Sequence, residues 1–520
     1  MITTVNTAVS LPKNSNQALG IGEFAVNFMS GSIGKPAQEV LDRTALFFTD
    51  AVLCGLSAVA VKTNAPTVLR TEALEFPTEN GATIFGSTQM VSPEKAILAN
   101  CAAVREWDSN GTNFGYNPEL GHTAGEFGHN DFYGVPIAAA QVMGLDGAAA
   151  LRGMVLLDEI RGRLAEVFSL KTYKIDHVVH GAIASAAVYG AMCGATAEQI
   201  EAAIGMSVAH YVPWRAIRAG KQLSDSKGSS AAISTEVAVV SMKRAMRGFM
   251  GPRDIFRNPE SVFRYFEQTC GDSPFDLNLS HSGCDFAVMG MHFKIGLYEH
   301  QSAGALQGLL NLIQEHPEIA SNPKQIADIK ITAYEPAFGI IGDPAKRDPK
   351  TRQSADHSMV YIVSTMLRKA SEIIKTSGID FFTNSNDDVW KQIMLTPYDF
   401  DIDAINNETT RSIMKTIFFE HGGETYDAKY PDGIPTSVHI VMKDGSSFDS
   451  GFIMYPSGHA RNTSCDLEDI LQAKFAMHGK IAMDNPEDLI GTCSSVGELS
   501  VDGVQNIWNI EIADRPIYKD

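Results

Sequence analysis

Asp, Thr, His and Lys residues gather at a few places in this chain, beside glycines or at the edges of apolar runs. Asp108 and Thr112 stand four apart with Gly111 between them. A helix would put both on one face and a turn would let them converge, although the same pair also serves capping and turn formation. His129 follows Gly128 and precedes the apolar run that starts at Val135. His177 opens the long apolar stretch HVVHGAIASAAVYGAMCG, where the positive end of a helix macrodipole disfavours the imidazolium and leaves a basic imidazole. Histidines in such places also serve as hydrogen-bonded structural residues. Arg215, Arg218, Lys221 and Lys227 form a cationic run that ends in Lys227-Gly-Ser-Ser at a helix start. Cations beside a helix N-terminus make a carboxylate-binding concavity, with a solvated basic face as the other reading. His300 lies at a strand-to-helix switch. Together these groups are the kit for abstracting a proton next to a carboxylate.

Other chemistries lose ground. No G-x-G-x-x-G follows a strand, and no G-x-x-x-x-G-K-[ST], H-E-x-x-H or nucleophile-elbow G-x-S-x-G occurs, so nucleotide cofactors, zinc hydrolysis and serine hydrolysis are not indicated. Seven scattered cysteines without a C-x-x-C suggest neither a disulfide framework nor a zinc ribbon. An iron–sulfur hydro-lyase would also show closely spaced thiolates. No metal and no cofactor is expected. A net charge of −19 argues against nucleic acid or an anionic membrane as partner. It also requires the pocket for any anionic substrate to be locally basic. The longest apolar run, Ala51 to Val61, is short of the roughly 20 residues of a spanning helix. Without a charged-then-apolar leader the expectation is a cytoplasmic protein.

Helical periodicity covers Glu39 to Val61, Ser92 to Val104, Gly147 to Phe168, His177 to Gly194 and Ser229 to Met250. Ser92 with Pro93 and Glu94 makes a good helix start, and Thr196 with Gln199 has capping-box spacing. Asp158/Arg161 and Glu159/Arg163 are spaced to meet on a helix surface. The pattern changes after about Gly283. Ile326 to Tyr334 alternates like a strand, and Ser437 to Met442 does so again before Asp444-Gly445, a hairpin signal with Phe448 to Tyr455 as return strand. Helices are expected around His357 to Ala370, Asp387 to Met394 and Cys465 to Phe475. The fold class is therefore mainly α. A large all-helical domain (1–284) is followed by a smaller α+β domain (285–456), and segment 457–520 rejoins the first. Arg105 to Ala140, a polar loop between apolar runs, reads as one wall of an active site.

These residues resemble the MmgE/PrpD family, from about Glu39 to Phe475. Asp108 and Thr112 are similar to its D-x-x-x-T, and His129 with Pro136 to its His ahead of a helix-opening Pro. Lys174-Ile-Asp176-His177 is similar to its G-x-D-H, with Lys174 in place of Gly. Arg215, Arg218 and Lys227 resemble R-x-x-R-x(8)-K, and Phe293, Lys294 and His300 its F-K lid strand and following His. ADHS at Ala355 to Ser358 and YPSGHARN at Tyr455 to Asn462 resemble further signatures.

The resemblance implies a helical domain, an α+β lid, a cleft between them and a homodimer. It also implies cofactor-free dehydration of a small-molecule tricarboxylate such as 2-methylcitrate to 2-methyl-cis-aconitate. Arg215, Arg218 and Lys227 would bind carboxylates, and His177 or His129 would be the base. Asp108 would orient or protonate, and His300 would arrive with lid closure. Decarboxylation of cis-aconitate and epimerisation of a dicarboxylate are the alternatives within the family, and a non-catalytic scaffold is the alternative outside it. The chain departs from the pattern in a longer segment between Thr112 and His129, with Asn113 where an aromatic is frequent. That insert supplies His122 as a rival, and Pro136 favours His129. The tail beyond about Gly479 has no counterpart in the resemblance.

Overall fold

The computed structural model describes residues 7–113, 116–125, 128–220 and 222–520. The architecture is mainly α. The helices of the first part include α1 (Gln38–Ala60), α2 (Pro93–Glu106), α3 (Gly134–Met143), α4 (Gly147–Val167), α5 (Val178–Met192), α6 (Ala197–His210) and α7 (Asp225–Met246). α2 starts on Pro93 with Glu94 in its first turn, as the sequence requires, yet the Ser92 side chain makes no capping bond. α6 has the complete capping box: Thr196 Oγ accepts from the Gln199 N–H, and Gln199 Oε1 accepts from the Thr196 N–H at 2.9 Å. α5 is apolar on every side and buried along almost its whole length, the pattern of a central helix. It also packs closely, since a Cβ at Gly181 would overlap the ring of Phe132. α1 matches a spanning helix in length and composition, but 83% of its most apolar window is buried within the protein.

α4 corrects one expectation. Arg161 pairs with Asp158 and Arg163 with Glu159, both at 2.8 Å, but inside the protein and not on a helix surface. The loop 280–287 covers this face, and its Ser280 and Ala287 N–H groups donate to Glu159. α7 begins at Asp225, earlier than expected, which places Lys227 inside its first turn.

The largest sheet lies in the second part. Its central strand β4 (Ile326–Ala333) runs parallel to β5 (Ile417–His421) and antiparallel to β6 (Thr436–Met442), which turns back into β7 (Ser447–Asp449). Ile329 faces Ile440 across the ladder, and the alternate residues of β6 are buried under helix α8 (Ala303–Glu315). Gly445 at φ +90° makes the tight turn. Regular pairing stops at Asp449, short of the expected Tyr455, because the chain bends through Gly451 at φ +66° before Ile453 rejoins Thr436 by a single bridge. Three further strands, β1 (Thr112–Asn113), β2 (Gly128–His129) and β3 (Met291–His292), form a small sheet with β1 in the middle.

Apolar side chains gather in two clusters. One contains Phe47, Ile97, Leu156, Ile183, Phe293 and Phe475. The other contains Trp107, Ile295, Leu306, Ile329, Trp390 and Ile440. Around the junction the first cluster gives way to the second between Phe293 and Ile295, where Phe293 stacks on Phe47 with ring centroids 3.8 Å apart. Helix α9 (Met359–Ser377) belongs to the second cluster. The last long helix, α10 (Leu467–Ala482), serves both, with Leu471 and Phe475 in one and Ile470 and Ile481 in the other.

Candidate active site

A small cleft lies where the small sheet, the start of α5 and the entry to α8 meet. Thr112, His177, Arg215, Arg218 and His300 line it together with four residues that the sequence reading did not assign to the site: Glu299, Ile340, Lys346 and His357. Thr112 sits in β1, paired with His129 on one side and His292 on the other. The His129 backbone is thereby next to Thr112, while its side chain lies outside the described residues, as does Lys221. His122, the rival, is elsewhere: its Nδ1 lies 2.7 Å from Glu166 at the end of α4.

Backbone hydrogen bonds hold the cationic turn against the base. The Asp176 N–H donates to Pro213 O and the Arg215 N–H to Lys174 O, both at 2.8 Å. Lys174 has φ +60°, the left-handed conformation that favours glycine. This accounts for the G-x-D-H pattern at that place. His300 follows Glu299, whose N–H donates to Asp356 O at 2.9 Å, and its ring stacks on His292 at 5.3 Å.

Electrostatics divide the lining groups. Burial, reinforced by Arg218 and Arg215, holds His177 well below its ordinary value, and Asp176 only partly offsets this. Its Nδ1 lies 3.3 Å from Asp176 Oδ1, which favours the proton on Nδ1 and a basic lone pair on Nε2. His300 is held low by burial and by Lys294. Burial alone would raise the Asp176 carboxyl, but Arg218 outweighs it and keeps the group well below the usual carboxylate range. Arg218 grips both Asp176 oxygens, so its charge is already answered. Arg215 and Lys346 form no close ion pair among the described residues and face the cavity, where Glu299 is the nearest carboxyl to act on Lys346. Burial pushes Lys346 down from its ordinary value while Glu299 opposes. Glu299 goes the other way, raised to about 7 by burial and by the charge of Asp108.

Asp108 and Lys227 stand behind this cavity, not in its lining. Asp108 is fully buried, takes Lys294 as its nearest partner, lies 3.2 Å from Arg105 and 3.6 Å from Lys227, and faces His357 Nδ1 at 3.1 Å. Burial would raise it, but Arg105, Lys294 and His357 bring it well below the carboxylate range. These partners favour the Asp108 carboxylate, which fits the orienting part of its expectation and weighs against the part as proton donor. Lys227 is enclosed, with Nζ 2.6 Å from Asp356. Burial lowers it to about 8 against the pull of Asp356 and Asp108. Its expected contact with a substrate carboxylate gives way to an internal ion pair. His357 Nδ1 lies 2.8 Å from Asp356, and burial and Lys227 lower the ring to about 3. With Nδ1 donating to carboxylates, its Nε2 is an acceptor. Asp108, Asp356 and His357 are close enough to chelate a cation, but the ammonium groups of Lys294 and Lys227 already answer both carboxylates.

Comparison with known sequences matches residues 22–275 to the MmgE/PrpD N-terminal domain and residues 298–375 to the MmgE/PrpD C-terminal domain. The chain belongs to the MmgE/PrpD family. Among its relatives are the mitochondrial 2-methylcitrate dehydratase of Yarrowia lipolytica, 25% identical over 84% of this chain and 80% of that protein, and the 2-methylcitrate dehydratase of Escherichia coli K12, 23% identical over 86% and 87%. An alkylcitrate dehydratase of a fungal species (strain ATCC 74256) is 23% identical over 84% and 83%. The two MmgE/PrpD domain matches leave out residues 276–297, the stretch in which the chain leaves the first apolar cluster for the second.

Proposed function

We propose that this MmgE/PrpD protein is a cofactor-independent hydro-lyase that removes water from an alkyl-substituted tricarboxylate such as 2-methylcitrate, giving 2-methyl-cis-aconitate. The observation that carries the reading is one cavity holding a neutral, buried His177 beside two cations, Arg215 and Lys346, neither of which is locked in an ion pair among the described residues. Substrate carboxylates take those cations. His177 Nε2 removes the hydrogen from the carbon beside a bound carboxylate, and the charge that develops there is stabilised by the same cations. Such base assistance contributes about 10²- to 10⁴-fold. Neutral His300 and His357 offer hydrogen bonds to hydroxyl groups, and Ile340, the single aliphatic side chain among the described lining residues, suits an alkyl branch. The homodimer remains part of the proposal.

Decarboxylation of cis-aconitate or epimerisation of a dicarboxylate would use the same base. The names of the relatives favour dehydration. The test incubates purified, metal-stripped protein with 2-methylcitrate, citrate, cis-aconitate and iminodisuccinate, following enoate absorbance and evolved CO₂ separately. Enoate from 2-methylcitrate is expected. CO₂ without any dehydration of 2-methylcitrate would refute the reading.

A further inference from the structure

Dehydration also needs a proton for the departing hydroxide, and most of the lining cannot give one. His177, His300 and His357 are neutral, and Asp108 is an anion held behind the cavity. Resting on the hydro-lyase reading, we propose that Glu299 is the general acid of this site, delivering its carboxyl proton to the leaving hydroxyl.

The geometry gives its two oxygens different tasks. Glu299 Oε2 accepts the Gln301 N–H at 2.8 Å, which fixes the carboxyl at the head of the turn into α8. Oε1 has no hydrogen-bond partner among the described residues, and the residue lines the cavity beside His300. The proton therefore resides on Oε1. The charged groups that face Glu299 are Asp108 and Lys294 from behind and Lys346 from the opposite segment; Arg215, Arg218 and the three histidines share its cavity. Burial and Asp108 outweigh the two lysines, so a large share of the carboxyl is protonated near neutral pH.

In the step, the C–H bond breaks to His177 Nε2 and its electron pair becomes the new C=C bond. The C–O bond breaks with its pair moving to oxygen, which takes the Glu299 proton and departs as water. His177 is left as imidazolium and Glu299 as carboxylate, and solvent returns the proton from one to the other. The sum is hydroxy acid to enoate plus water.

The test compares 2-methylcitrate with the analogue in which fluoride replaces the tertiary hydroxyl, because fluoride leaves without protonation. Glu299→Gln keeps an oxygen for the Gln301 N–H. It is expected to lower kcat for dehydration by about 10²- to 10⁴-fold and to retain fluoride elimination within about tenfold. Product inhibition reports that binding is intact. Wild-type dehydration is expected to fall above about pH 7, while fluoride elimination shows no such limb. Glu299→Asp restores part of the dehydration. Full dehydration by Glu299→Gln, an equal loss of both reactions, or an alkaline limb shared by both leaving groups would overturn the assignment while leaving the hydro-lyase reading standing. Wild-type protein that eliminates neither water nor fluoride would overturn both.

Discussion

Replacing Lys227 with methionine tests the distinction between the cavity and the network behind it. Lys227 Nζ is 2.6 Å from Asp356 Oδ1, and both side chains are fully enclosed. Its lowering from 10.5 to about 8 corresponds to about 3 kcal/mol against the charged form, so the ammonium stays there because the carboxylates hold it. Methionine fills the space but leaves Asp356 with Arg352 at 3.5 Å and the His357 ring. Removing one half of a buried pair costs about 3 to 5 kcal/mol, which is the loss expected in urea unfolding at pH 7. The pH dependence gives the sign. In the native protein Lys227 is the largest cause holding Asp356 below its ordinary value, with burial acting to raise it. Once Lys227 is gone, burial dominates and the folded value rises above the unfolded one. A raised carboxyl takes up a proton on acidification more readily in the folded state, so the deficit shrinks from pH 7 to pH 5. Asp356→Asn, added to Lys227→Met, removes the stranded charge and is expected to recover about 2 kcal/mol. A single variant as stable as the parent at pH 7, or a deficit equal at both pH values, would refute the reasoning. Turnover falls as well, since Lys227 helps keep His357 neutral.

Arg215→Met is expected to raise KM by about 10- to 100-fold, the worth of a charged hydrogen bond, with thermal unfolding nearly unchanged because Arg218 and His177 act on Asp176 more strongly than Arg215 does. Arg218→Met instead strands Asp176 and lets it pull the His177 value upward, so a new acid limb is expected in the rate–pH profile of that variant alone; identical profiles for the two would count against the separation of roles. Lys174→Gly relieves a left-handed conformation worth about 1 to 2 kcal/mol and loses about 0.4 to 1 kcal/mol to a more flexible unfolded chain. A small gain in urea midpoint with unchanged kcat is expected, and a loss would show that the Lys174 side chain holds the turn.

Much of the helical part is legible in the sequence, because capping and periodicity act over a few residues. Thr196 with Gln199 fixes the start of α6, and the apolar spacing marks α4. Pairings over long separations are not legible. Thr112 meets His292, and Ala8 meets Ser280, through strands too short to leave a pattern. Asp108, His177, Lys227 and His300 were recognisable as one constellation, but burial decides their parts, and burial is a property of the packed chain. Lys227 looks like a substrate cation in the sequence because nothing near it announces Asp356. Glu299 and His357 lie beside His300 and within ADHS, and nothing in their local spacing marks them as titrating groups. Lys346 lines the same cleft as Arg215 although the two lie far apart in the chain, and no local spacing encodes that.

The ion network behind the cavity also constrains how such a protein can diverge. Arg105, Lys227, Lys294 and Arg352 face Asp108, Asp131, Asp356 and Glu106, and each of the eight touches at least one partner of opposite sign. A single replacement strands a buried charge at about 3 to 5 kcal/mol, a large part of the 5 to 15 kcal/mol that holds an ordinary domain together. Drift there has to pass through paired changes. Ile340 and Lys346 sit on short turns, and Lys346 forms no close ion pair among the described residues, so they can be exchanged one at a time without stranding a paired charge. A lineage can therefore explore new substrates along one wall while the wall behind it stays as inherited.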